Sequence, residues 1–186
     1  MINIVKKFYT KKALLLTILL SFFLFIRIFV NPLSPDFILT SDSLKYLAVS
    51  KSFPYHQLYN NQFYLLHPPF FPYTIHFFTL ILNDDRIATM AVSLLASIVT
   101  FFLVYKLFML LTENFNTTLI VLLLFTLSVP FVIAATAVLK ESLAVMLALL
   151  SLYYYIKGVK FADRKSILLA AISGGAMALT VDHAIF

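Results

Sequence analysis

Long apolar runs separated by short polar segments dominate this chain. A helix needs about 17–25 mostly apolar residues to cross the hydrocarbon core of a bilayer. The run over residues 117–156 is twice that length and is interrupted by Pro130 and by Lys140-Glu141, so it predicts two spans folded as a hairpin. The pattern therefore predicts an all-α fold, a polytopic transmembrane helical bundle. The predicted spans are residues 13–30, 87–111, 117–137, 138–156 and 166–186.

A shorter apolar run, residues 69–82, follows consecutive prolines. A helix of this length extends about 21 Å, less than the ~30 Å hydrocarbon core, so it is predicted to lie in the membrane interface. Residues 42–53 predict a second interfacial helix, because Ser41 can cap it and apolar residues fall on one helical face. Both interfacial helices belong to a predicted external segment, residues 31–86.

Composition excludes a water-soluble globule. Apolar residues make up 62% of the chain and charged residues only 12%, about half of the usual charged fraction. Three glycines are too few for a glycine-rich phosphate loop, and the lack of cysteine excludes thiol nucleophiles. The net charge of +6 does not indicate nucleic-acid binding, because the basic residues flank apolar spans and are expected to contact membrane lipids.

The basic residues also predict the orientation of the chain. Short segments rich in Lys and Arg remain cytoplasmic, which applies to the lysines of residues 6–12 and to the basic residues of 157–165. The prediction is a multi-pass cell-membrane protein with a cytoplasmic N-terminus. In this arrangement the external segment and Glu141 lie on the outer face, so acidic side chains converge at one membrane surface.

Several short motifs occur in a recognisable order. Asp-x-x-x-Tyr at residues 42–46 is followed by His-Pro-Pro-Phe-Phe-Pro at 67–72 and by Leu-Ser-x-Pro at 127–130. Lys-Glu-Ser at 140–142 then opens a span, and residues 170–180 loosely match an Ala/Gly-rich pattern that ends in Leu-Thr. In this order the chain resembles the N-terminal half of the GT-C glycosyltransferases, such as protein O-mannosyltransferases and lipid A aminoarabinose transferases.

The resemblance implies transfer of a sugar from a polyprenyl-phosphate carrier to a protein, lipid or glycan acceptor at the outer membrane face. It implies that Asp42 acts as the base or positions the acceptor. Glu141 is predicted as a second catalytic carboxylate, and together the two provide ligands for a divalent metal ion without requiring one. An attacking hydroxyl must lose a proton, and a departing phosphate needs cationic partners. The predicted substrate-binding residues are Tyr46, His67, Arg27 and Lys51.

Other interpretations remain open at this point. Arg27 is also placed to extend its side chain toward lipid headgroups, and Asp42 to favour a helix N-terminus. Gly174 and Gly175 predict close helix packing. The alternative functions are a noncatalytic membrane assembly subunit and a transporter or flippase component. The chain ends inside an apolar run, which predicts that it is the N-terminal part of a longer enzyme and inactive alone if truncated.

Overall fold

The computed structural model describes residues 2–29, 69–136 and 140–181. Within these ranges the chain forms seven α-helices and no strand, which confirms the all-α prediction. The helices are α1 (Ile2–Phe29), α2 (Phe70–Leu82), α3 (Asp85–Thr112), α4 (Phe115–Leu127), α5 (Val129–Thr136), α6 (Lys140–Phe161) and α7 (Arg164–Ala178).

Short, well-defined turns join consecutive helices. Each of three helices begins at a residue whose side chain accepts a hydrogen bond from backbone N–H groups of the first turn. These caps are Asp84 on α3, Asn114 on α4 and Asp163 on α7. The helices before them end at residues in the left-handed conformation, Asn83, Glu113 and Ala162. Such tight turns make each joined pair antiparallel neighbours.

The antiparallel pair α6 and α7 forms the most extensive helix contact, and α3 also packs along α6. Gly158 on α6 permits this approach, since a Cβ there would lie 2.5 Å from Cδ1 of Ile167. A Cβ at Gly174 would also lie close to its neighbour, at 3.2 Å from Oγ of Ser151, whereas no described residue comes within 4 Å of a Cβ at Gly175. The described helices therefore show the predicted close packing at Gly174 and not at Gly175.

Helix α2 lies against the first half of α3. Phe71 and Ile75 of α2 pack with Val92 and Ala96 of α3 and with two leucines of α6 in one apolar cluster. The outer face of α2 exposes Phe77 and other large apolar side chains. Two described helices, α3 and α6, are long and apolar enough to cross a bilayer.

The segment predicted as one span over residues 117–137 forms two helices. Helix α4 ends at Leu127, Ser128 is extended with φ −67° and ψ 112°, and α5 starts at Val129. Pro130 explains the break, because it has no N–H with which to continue the hydrogen bonding of α4. The predicted interfacial helix over residues 42–53 lies outside the described residues. The positions of the helices relative to a bilayer remain a prediction.

Candidate functional site

Two polar regions lie at different heights along α6. Near its end, Nζ of Lys160 donates to Oε1 of Glu113 at 2.9 Å and to the carbonyl of Leu110 at 3.1 Å, at the end of α3. At its start, Glu141 lies beside residues in the middle of α3. Nineteen residues of helix separate Glu141 from Lys160, so the two regions are about 28 Å apart along α6.

Glu141 lies in the first turn of α6, where it is exposed and borders a small cavity. The cavity has a volume of about 20 Å³, which is room for about one water molecule. Its lining combines a carboxylate, hydroxyls and aromatic rings: Ser97, Thr100, Phe125, Phe131, Glu141, Ser142 and Val145. A cavity of this volume is too small for a sugar.

Buried hydroxyls on α3 lead into this cavity. Thr89, Ser93, Ser97 and Thr100 follow each other at intervals of three or four residues, which places them on one helical face, and all are buried. The hydroxyl of Thr100 donates to the carbonyl of Ala96 at 2.7 Å, whereas the Ser93 hydroxyl has no hydrogen-bond partner in the described part of the chain. This stripe was not predicted, although its helical spacing is visible in the sequence.

Arg27, in the last turn of α1, turns into the protein and is only 3% exposed. Its Nη1 donates to the backbone carbonyl of Thr126 at 2.8 Å, and its guanidinium lies over the ring of Phe23 at 4.0 Å. Its Nε and Nη2 are buried and have no hydrogen-bond partner among the described residues. The interpretation that Arg27 extends toward lipid headgroups is therefore wrong.

The ring of Phe125 connects Arg27 with the cavity of Glu141. The Arg27 guanidinium lies 5.8 Å from the centre of this ring, and the same ring lines the cavity. Phe131 of α5 packs against Phe125 with ring centres 4.8 Å apart. The fold thus brings a buried cation and a carboxylate of the predicted site to one aromatic cluster at the α4–α5 break.

Four predicted site residues lie outside the described residues: Asp42, Tyr46, Lys51 and His67. The expectation that Asp42 and Glu141 share a cavity beside His67 therefore remains a prediction. Among the described residues, no three His, Asp or Glu side chains come together as metal ligands.

The polar groups at the other end of α6 satisfy one another. The hydrogen bond and charge of Lys160 lower the pKa of Glu113 below its usual value. The pKa of Asp163 is also lowered, chiefly because the hydroxyl of Ser166 donates to its carboxylate at 2.7 Å. Glu113 and Lys160 are exposed, and each has a clear structural partner. The described polar groups at this end therefore pair with one another or cap a helix.

No curated protein and no solved structure matches the chain. Residues 66–186, well over half of the chain, match the profile of the family described as dolichyl-phosphate-mannose-protein mannosyltransferase. This match confirms the GT-C resemblance of the sequence motifs. With two helices long enough to cross a bilayer, it also indicates a membrane-associated protein. The chain therefore belongs to the dolichyl-phosphate-mannose-protein mannosyltransferase family of GT-C glycosyltransferases.

Proposed function

We propose that the protein is a membrane enzyme that transfers a sugar from a polyprenyl-phosphate carrier to an acceptor at the outer membrane face. One observation carries the proposal: a buried guanidinium with unused donors, Arg27, and a carboxylate, Glu141, both border Phe125. The first suits a phosphate and the second suits a proton or a hydroxyl. The family description names dolichyl-phosphate-mannose and a protein, so mannose and a protein hydroxyl are the first donor sugar and acceptor to test.

The proposed reaction is a single displacement at the anomeric carbon. The acceptor oxygen bonds to this carbon as the bond from the carbon to the phosphate oxygen breaks, which inverts the configuration. The hydroxyl proton passes to a carboxylate, for which we propose Asp42, with Glu141 as the second carboxylate of the site. The electron pair of the broken bond stays on the phosphate, whose added negative charge requires cationic partners.

The proposed partners of the donor are Arg27, Lys51 and His67, with Tyr46 contacting the substrate. Among these, only Arg27 lies within the described residues. Its support is physical, because a buried cation that keeps only one hydrogen bond is stabilised by a bound anion.

The dimensions of α3 support a site on the outer face. This helix of 28 residues is about 42 Å long, whereas the hydrocarbon core is about 30 Å thick. With the basic Lys160 end at the cytoplasmic surface, about the first two turns of α3 extend past the opposite surface. That placement agrees with an external segment over residues 31–86.

The test is a transfer assay in membranes that contain the full-length gene product, with radiolabelled mannosyl-phosphoryl-polyprenol and an acceptor protein. We expect label to appear in the acceptor. Asp42→Asn should lower the rate by about 100-fold or more, because the amide cannot accept the proton, at unchanged expression and thermal stability. Unchanged transfer by this variant refutes the assigned base. Passage of the lipid-linked sugar across the membrane without transfer refutes the enzyme and favours a flippase.

A further inference from the structure

The break between α4 and α5 leaves the backbone carbonyl of Thr126 without its helical donor. In a continuous helix the carbonyl of Thr126 would accept from the N–H of residue 130. Residue 130 is a proline and has no N–H, so this carbonyl needs another partner. Nη1 of Arg27 donates to it at 2.8 Å, from 99 residues away in sequence.

This hydrogen bond determines which part of the guanidinium remains available. The two nitrogens without a partner are Nε and Nη2 of Arg27, and both are buried. They form one edge of the planar group, the edge that presents two parallel N–H donors to a pair of oxygen atoms. The ring of Phe23, 4.0 Å from the guanidinium carbon, covers one face of the same group.

We propose that the Nε–Nη2 edge of Arg27 binds the phosphate group of a membrane lipid, and that Pro130 is the positioning residue that makes this edge available. The identity of that lipid as the polyprenyl-phosphate donor rests on the function proposed above. The binding chemistry does not, since any lipid phosphate presents the same two oxygens.

The position of Arg27 favours a lipid phosphate over a soluble anion. It lies in the last turn of the long apolar helix α1, where a predicted span reaches the headgroup layer. Phosphates of lipids lie at this depth. The Nε–Nη2 edge of Arg27 also prefers an oxyanion to a neutral group, because a buried guanidinium with unused donors destabilises the fold without a counter-charge.

Pro130 acts through Arg27 in this proposal. An alanine at position 130 restores an N–H that competes for the Thr126 carbonyl and lets α4 continue into α5. Arg27 then loses the partner that orients it. Binding of the phosphate should weaken while thermal stability stays equal or rises, because the helix gains a hydrogen bond. A merely structural proline would move both quantities in the same direction.

The experiment measures binding of fluorescent polyprenyl phosphate to the full-length protein in nanodiscs of neutral lipid. We expect Arg27→Gln to weaken binding about tenfold or more. Arg27→Lys should retain part of the binding affinity, because lysine keeps the positive charge but lacks the two parallel N–H donors. Pro130→Ala should weaken binding by about threefold or more at an equal or higher melting temperature. Lys160→Met, which removes a cation at the opposite end, is the matched control and should bind like the wild type.

Competition identifies the source of the phosphate. Displacement of the probe by phosphatidylglycerol vesicles, but not by millimolar inorganic phosphate, supports a lipid-phosphate site. Displacement by inorganic phosphate alone overturns the lipid assignment. Equal binding by wild type and Arg27→Gln overturns the site, and a loss of binding together with stability in Pro130→Ala overturns the positioning role. If phosphate binding depends on Arg27 but no sugar is transferred, the phosphate site stands and the proposed function is refuted. If sugar is transferred equally well without Arg27, the proposed function stands and the phosphate site is refuted.

Discussion

The two polar regions along α6 contain similar side chains in opposite states. At the Lys160 end, Glu113 and Lys160 are exposed, 75% and 41%, and each has a partner. At the Glu141 end, Arg27 is buried and uses only one of its guanidinium nitrogens. Exposed, paired charges contribute little free energy and cost little. Most buried polar groups in folded proteins have a hydrogen-bond partner, so unused buried donors require an explanation, of which a bound ligand is one.

The difference separates structure from function within one helix bundle. The Lys160 end includes a capping carboxylate, Asp163, and a left-handed turn at Ala162, which are devices for ending and starting helices. The Glu141 end includes a helix break, a cavity of about 20 Å³ and a buried hydroxyl without a partner on Ser93. Features that weaken packing are concentrated there, as expected of a binding site.

The largest expected effect uses one glutamate from each end. Glu141→Gln should lower sugar transfer by about 100-fold, because the amide can neither accept a proton nor hold a cation. Glu113→Gln should leave transfer within about twofold, since its carboxylate is exposed and pairs with Lys160 at the other end of α6. The measurement is the initial rate of transfer at matched protein levels. Similar losses in both variants would remove the distinction between the two ends.

A second pair of variants tests the packing that holds α6 against α7. Gly158→Ala places a methyl group against Ile167 and should destabilise the protein by about 1–3 kcal/mol. Gly175→Ala meets nothing within 4 Å and should be neutral or stabilising by up to about 1 kcal/mol, because alanine favours helix. Thermal or denaturant unfolding in detergent measures both. An equal loss of stability in the two variants would contradict the assigned contact.

The smallest expected effect concerns pH at the Lys160 end. Because Lys160 lowers the pKa of Glu113 in the folded state, its contribution is present above the unfolded value of about 4.5 and is lost as the pH falls through the lower folded value. The melting temperature of the wild type should exceed that of Glu113→Gln by less than about 2 °C at pH 7, since the pair is exposed. This gap should close on acidification. A gap that widens below pH 4.5 would contradict the ion pair.

Much of the helix layout was predictable, because the sequence shows directly how long each apolar run is and which residues interrupt it. Pro130 marks the α4–α5 break, and Lys140-Glu141 marks the start of α6. The side-chain direction of Arg27 was not predictable from local sequence, because a cation near the end of an apolar helix ordinarily reaches for headgroups. Its inward turn depends on the carbonyl of Thr126, which is distant in sequence. The missing N–H of Pro130 was the available signal.

The glycines show the same limit. Gly174 and Gly175 are neighbours in the sequence and equally small, but among the described helices a close neighbour is found at Gly174 and not at Gly175. Gly158, where a Cβ would come closest to another helix, is a single glycine outside any recognisable packing motif. Such contacts depend on the rotation of each helix about its axis. A helix that is apolar on nearly all sides gives no sequence signal for that rotation.

Two-sided labelling of single cysteines tests the central claim most directly, because the chain contains no cysteine of its own. Glu141→Cys places a thiol at the start of α6, and Glu113→Cys places one at the end of α3, beside the other end of α6; both positions are exposed. A membrane-impermeant maleimide applied to intact cells should label position 141 at once and position 113 only after permeabilisation. Labelling of both positions from the same side, or of position 113 alone in intact cells, would contradict a carboxylate site on the outer face.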